Sequence, residues 1–229
     1  MNQNETIKFS GNDIVASLVI GEICAWLLIA IIQSLSFKVP ALYALPVYFP
    51  VLCVAGLYMG YLIGRIIPLI YQVAKFVLVG GFNTLVDWGV LALLIFLSRQ
   101  YLFIEAQDII WKTALFSIVF YSLFKAVSFV VASVNSYFWN KFWTFKRKTT
   151  ESMGKEFLQF FTITLIGFVI NVVIASVIFN YISPLGGLNF DQWAIIAAVV
   201  ATAFSMVWNF AGYKFIVFDE SSKQLTANS

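Results

Sequence analysis

Residues 157–190, FLQFFTITLIGFVINVVIASVIFNYISPLGGLNF, run from Glu156 to Asp191 without a charged side chain. A helix needs roughly 20 apolar residues to cross a bilayer, and this run exceeds that. Inside hydrocarbon the backbone has no water to bond, so a run of this length is helical. The same measure, carried outward, finds five more spans. No charge falls between Asp191 and Lys214, and only Lys125 between Lys112 and Lys141. Asp87 stands alone between Lys75 and Arg99, none intervenes between Lys38 and Arg65, and Ile14–Phe37 holds only Glu22. These runs are too long for barrel strands. The expectation is an all-α integral membrane protein with six transmembrane helices.

Composition agrees. Of 229 residues, 61% are hydrophobic and 11% charged, and mean hydropathy is +0.90. Soluble domains carry about 25% charge, so this chain has too little to coat a water-facing surface. A net charge of +3 leaves no basic face for nucleic acid. The chain has no histidine, which removes Ser-His-Asp and Cys-His relays and histidine metal sites. Cys24 and Cys53 lie in apolar runs, far from metal-ligand spacing, and read as small core residues. Neither a metal nor a cofactor is expected.

Six spans put both termini on one side. That side collects Lys8, Arg65, Lys75, Lys141, Lys146, Arg147, Lys148, Lys155, Lys214 and Lys223, against Lys38, Arg99 and Lys112 on the other. The positive-inside rule then places both termini in the cytoplasm. Met1–Asn12 lacks a basic leader, so the first span reads as a retained helix rather than a signal peptide. Trp139, Trp143 and Tyr213 suit the inner aromatic belt, Trp111 and Trp193 the outer one. Gly56, Gly60 and Gly64 form a stripe for close helix approach, which also leaves a homodimer open. Gln100–Lys112 reads as an interfacial stretch or short helix. The tail 219–229 is polar and reads as disordered.

An internal repeat organises the last four spans. Phe76–Asp87 (FVLVGGFNTLVD) matches Phe160–Asn171 (FFTITLIGFVIN) at an offset of 84, and Lys141–Phe145 matches Lys214–Phe218 at an offset of 73. Two helices per copy insert the same way up, giving two parallel-oriented helical hairpins related by an axis along the membrane normal. The strings KFVLVGGFNTLVD, FKAVSFVVASVNSYFWNKFWTFK and WNFAGYKFIVF resemble the GtrA-like family of small membrane proteins. The resemblance covers about residues 71–218, leaving residues 1–70 as an N-terminal extension with two further helices. It implies translocation of a polyprenyl-phosphate-linked sugar, typically undecaprenyl-phosphate glucose, across the cytoplasmic membrane for cell-surface polysaccharide glycosylation. It also implies a membrane-bound glycosyltransferase as partner, the enzyme that makes that lipid.

Such a carrier needs a cation for the phosphate, amides or hydroxyls for the sugar, and lateral access for the tail. Lys125 is the candidate cation, since a charge inside a span costs on the order of 3 kcal/mol. Asp87 is its natural partner: counted along the helices at about 1.5 Å per residue, the two depths differ by about one turn. The pair reads either as a structural link between two helices or as a phosphate site. In the second repeat Asn171 replaces Asp87 and Ala198 stands opposite Lys125, so one half carries charge and the other a neutral counterpart. Asn83, Asn135, Asn171 and Asn209 serve either interhelical bonding or sugar hydroxyls. Asn140, Lys141 and Lys214, in the basic-aromatic clamps, serve topology, lipid-phosphate capture or partner docking. Glu22 could pair with Lys125, line a proton path or face a neighbouring helix.

Two other readings compete. A non-transporting scaffold that positions a glycosyltransferase needs no buried lysine, whereas a phosphate carrier does. A small-cation exporter is disfavoured because Lys125 would repel its cargo. No paired-carboxylate or metal-bearing constellation supports an enzyme.

Overall fold

The computed structural model describes residues 7–34, 39–113, 117–147 and 153–218. Lys38, Lys148, Lys223 and the tail 219–229, all read above, lie outside the described residues. Six long helices form: α1 (Gly11–Ser34), α2 (Leu45–Gly64), α3 (Pro68–Leu97), α4 (Phe120–Trp139), α5 (Met153–Tyr181) and α6 (Phe190–Gly212). All but α4 are long and apolar enough to cross a membrane. α4 has the length, at 20 residues, but Ser122, Lys125, Ser128, Ser133, Asn135 and Ser136 make it more polar than the rest.

The chain divides into two compact units, Met1–Thr144 and Phe145–Ser229. In the first, α1 packs on α2 and α3, α2 on α3, and α3 on α4. Ile20, Cys24, Leu57, Tyr71, Val79, Phe82, Leu85 and Trp143 form its core. Its outer surface is apolar: Val15 is 60% exposed and Leu52 64%, while Asp13, Lys75 and Ser128 are buried. An apolar exterior with charged groups held inside beside an apolar core is unlike a water-soluble domain, and fits a lipid solvent.

Local sequence explains the helix ends. Ser10 precedes α1, and Asp13 in the first turn accepts the Ser10 N–H at 3.0 Å and the Ser10 hydroxyl at 2.7 Å, which supplies one half of a capping box. Ile67 precedes Pro68 and takes an extended conformation, as the proline ring demands. That turns the chain sharply between α2 and α3, with Pro68 in the first turn of the new helix. The N-terminus of α4 is satisfied by a loop, its Phe120 and Tyr121 N–H groups donating to Asp108 O (3.0 Å) and Ala106 O (2.8 Å).

The stretch 100–112 differs from expectation. Ser98–Leu102 continues α3 as a π-helical turn, and β1 (Ile109–Lys112) pairs antiparallel with β2 (Ser117–Val119). Ile109, Ile110 and Trp111 are β-branched and aromatic, the residue types that favour a strand over a short helix. The fold is therefore mostly helical rather than wholly so.

The glycines act by close approach. Beside Gly60 lies the Ala74 methyl, and beside Gly64 the Tyr71 backbone, so two members of the stripe pack α2 on α3. Gly56 is exposed with open space around it. Among the described residues the tightest approach to a backbone atom is Gly21 of α1 against α2, where an added Cβ would meet Pro50 Cα. Backbone cannot swing aside as a side chain can. Gly21→Ala is expected to cost about 1–3 kcal/mol, read as a lower unfolding temperature in detergent. An unchanged temperature would refute this packing.

In the second unit α5 packs on α6, joined by a turn in which Gly186 and Gly187 adopt φ of 63° and 77°. Both α4 and α6 end in a five-residue π-helical turn, Asn140–Thr144 and Tyr213–Val217. These turns fall 73 residues apart, on the clamps matched in the sequence.

Candidate functional site

α3 and α4 bring Asp87 and Lys125 into an ion pair. The carboxylate's other oxygen accepts the Ser128 hydroxyl at 2.7 Å. Ser128 is one helical turn past Lys125, so both reach the same acid, and its small side chain lets the helices approach. The pair lies five residues into α4, about 8 Å from its start. It therefore sits near one end of α4 rather than at its middle. Side-chain exposure is 40% for Lys125 and 16% for Asp87. The amine has one carboxylate partner and an open flank.

Asn83 precedes Asp87 by four residues and shares its stripe of α3. Its Oδ1 is buried without a hydrogen-bond partner. On α4, Asn135 follows Lys125 by ten residues and Ser128 by seven, again on one stripe, and its Nδ2 is likewise buried and unpartnered. Each such group costs about 1–3 kcal/mol. Gly80 and Gly81, next along α3, have nothing within 4 Å of where a Cβ would stand. Below the ion pair the hairpin thus offers one amide acceptor and one amide donor, both unsatisfied.

The clamp after α4 lies elsewhere. Asn140 is 1% exposed and donates from Nδ2 to Ser136 O (2.9 Å) and Ser136 Oγ (3.2 Å). Lys141 is fully buried, donating to Tyr137 Oη at 3.1 Å, over the Tyr137 and Phe142 rings. It stands sixteen residues from Lys125, roughly 24 Å along the helix, so the two do not share a site.

The second unit holds its polar residues differently. Asn171 Nδ2 donates to Thr202 Oγ1 at 3.2 Å, and that hydroxyl donates to Ala198 O at 2.8 Å. At the place matching the ion pair there is a neutral link. The Asn209 amide rests against Gly167, where no side chain could fit, and its Oδ1 is buried and unpartnered. Lys214 lies over the Phe210 and Phe215 rings. Tyr213 stacks on Phe160 at 4.1 Å and bonds Thr164 at 2.6 Å.

One polar cluster escaped the sequence reading. Lys75, counted there only as a charge on one side of the membrane, is 2% exposed and ion-paired with Asp13, itself 1% exposed. The same carboxylate accepts the Trp143 indole N–H at 3.0 Å, and Lys75 lies over the Tyr71 ring at 4.6 Å. The signal was available in Ser10-Gly11-Asn12-Asp13, whose spacing is that of a capping box.

An apolar exterior, buried ion pairs and helices long enough to cross a bilayer define a multi-pass membrane protein. Residues 75–218 match the family model described as "GtrA/DPMS, transmembrane domain", and the chain belongs to that family. It is also similar to the uncharacterized membrane protein YngA of Bacillus subtilis (strain 168), at 30% identity over 167 residues, 71% of this chain and 91% of that protein.

Proposed function

We propose that this protein carries a polyprenyl-phosphate-linked monosaccharide, undecaprenyl-phosphate glucose or a close relative, between the leaflets of the cell membrane. Membership of the GtrA/DPMS family supports a role in lipid-linked sugar handling. The single observation that carries the reading is the Lys125 amine, held by Asp87 yet 40% exposed. A phosphate approaching that flank meets an amine already held in place by its carboxylate partner. Burial makes such a contact stronger than in water. Asn83 and Asn135 supply hydrogen bonds for sugar hydroxyls, and the apolar outer faces let the polyprenyl tail stay in lipid. No covalent step is needed.

In this reading α4 crosses the membrane as the sixth span and both termini are cytoplasmic. The two hairpins act as parallel repeats, one charged and one neutral, and a glycosyltransferase supplies the substrate from the cytoplasmic side. The scaffold reading has one observation in its favour: Asp87 satisfies Lys125 and Ser128 together, which suffices to join two helices.

Reconstitution separates the two. The purified protein is placed in liposomes with labelled undecaprenyl-phosphate glucose in one leaflet. Exposure of the sugar in the other leaflet is expected to be faster than in empty liposomes. Equal rates would refute the carrier and leave the scaffold.

A further inference from the structure

Glu22 lies nine residues beyond Asp13 along α1, roughly 14 Å deeper into the apolar span. Its Oε1 accepts the Trp26 indole N–H at 2.8 Å. The bond faces outward: Trp26 is 55% exposed, and Val15 and Val19 on the same stripe are 60% and 43% exposed. Spacings of four, three and four residues give this stripe the pattern of a helix-packing seam. An intramembrane carboxylate is costly and ordinarily finds a partner. One indole N–H leaves most of its accepting capacity unused.

Among the described residues no cation is paired with Glu22. The central turns of α1, α2, α5 and α6 have no Lys or Arg. Lys75 pairs with Asp13 and Lys125 with Asp87. A second copy would therefore meet Glu22 with another carboxylate at the same depth. α1 and α2 also precede the residues that the family model matches, so this face is an addition to the shared core.

We infer that the Glu22–Trp26 face of α1 docks a membrane-spanning helix of a different protein, one that carries a Lys or Arg side chain near mid-depth. The inference is independent of the Lys125 site. The test uses the full-length protein, donor-labelled at its C-terminus, in phosphatidylethanolamine/phosphatidylglycerol vesicles. Acceptor-labelled Leu/Ala host helices carry a central Lys, Leu or Glu. Energy transfer is expected to show the Lys helix binding about tenfold more tightly than the Leu helix, with the Glu helix weakest. In Glu22→Gln the Lys preference should vanish. Equal binding of all three helices overturns the inference. So does a Lys preference that survives in Glu22→Gln and disappears in Asp87→Asn, and so does self-association of labelled copies that Glu22→Gln abolishes. The peptide series reads charge preference on the unaltered chain, so the test stands even where a variant fails to fold.

Discussion

Asp13→Ala is expected to destabilise the first unit by about 3–5 kcal/mol, because it removes one partner of a buried ion pair and strands the other. Three elements lose an anchor together. The start of α1 loses its capping carboxylate, α3 loses the partner of Lys75, and the π-helical turn after α4 loses the acceptor for Trp143. Thermal unfolding in detergent reads the total, and hydrogen exchange at residues 140–144 reads the loosened turn. Asp13→Asn, which keeps an acceptor oxygen but no charge, should fall between wild type and Asp13→Ala. Asp13→Leu combined with Lys75→Met should recover much of the loss, since well-packed apolar groups can replace a buried pair at little cost. Unchanged unfolding in Asp13→Ala would mean that the cluster does not hold these elements together.

That cluster marks where reading the chain in one dimension stops. Uncharged runs between widely spaced charges locate helices well, because lipid leaves the backbone no alternative. The same rule hides Asp13 and Lys75, which lie near helix ends, where charge is cheap and looks solvated. Their burial depends on α1 lying beside α3, and spacing along the chain cannot report that. Asp87 and Lys125 were legible for the opposite reason: each stands alone in a long apolar run, so each needs a partner. The depth count that paired them also holds. Their place near one end of α4 was not legible, because residues 113–119 carry no charge and run into the span without a break in sequence. Strand propensity in Ile109-Ile110-Trp111 was the available cue.

The amides divide along the same line. The sequence marks Asn83, Asn135, Asn171 and Asn209 as polar groups in apolar helices, serving either an interhelical bond or sugar hydroxyls. Only Asn171 makes one among the described residues, to Thr202. Asn83 Oδ1 and Asn135 Nδ2 are unsatisfied, which is unusual for buried amides and needs an explanation. Both lie in the unit that carries the ion pair, and Asn209 Oδ1 in the second unit is unsatisfied as well. What differs between the halves is charge: the Asp87–Lys125 pair in one and the neutral Asn171–Thr202 bond in the other.

Lys125→Ala is expected to reduce transfer of undecaprenyl-phosphate glucose in liposomes by about 30-fold, the effect of truncating one partner of a hydrogen-bonded charge pair at a binding surface. Lost stability could mimic that result, since the substitution also strands Asp87. The second half of the molecule suggests the control. There Asn171 and Ala198 occupy the matching places without charge, so Asp87→Asn with Lys125→Ala copies an arrangement the fold already accepts. If Lys125 binds phosphate, the double variant regains the unfolding temperature of the wild type but not its transfer rate. If the pair only joins α3 to α4, stability and transfer return together. Asp87→Asn alone is diagnostic in the other direction. Freed from its carboxylate, the amine should hold the phosphate more tightly and release it more slowly, so that lipid binding rises while transfer falls. A Lys125→Ala variant with normal transfer would exclude this amine as the phosphate-binding group.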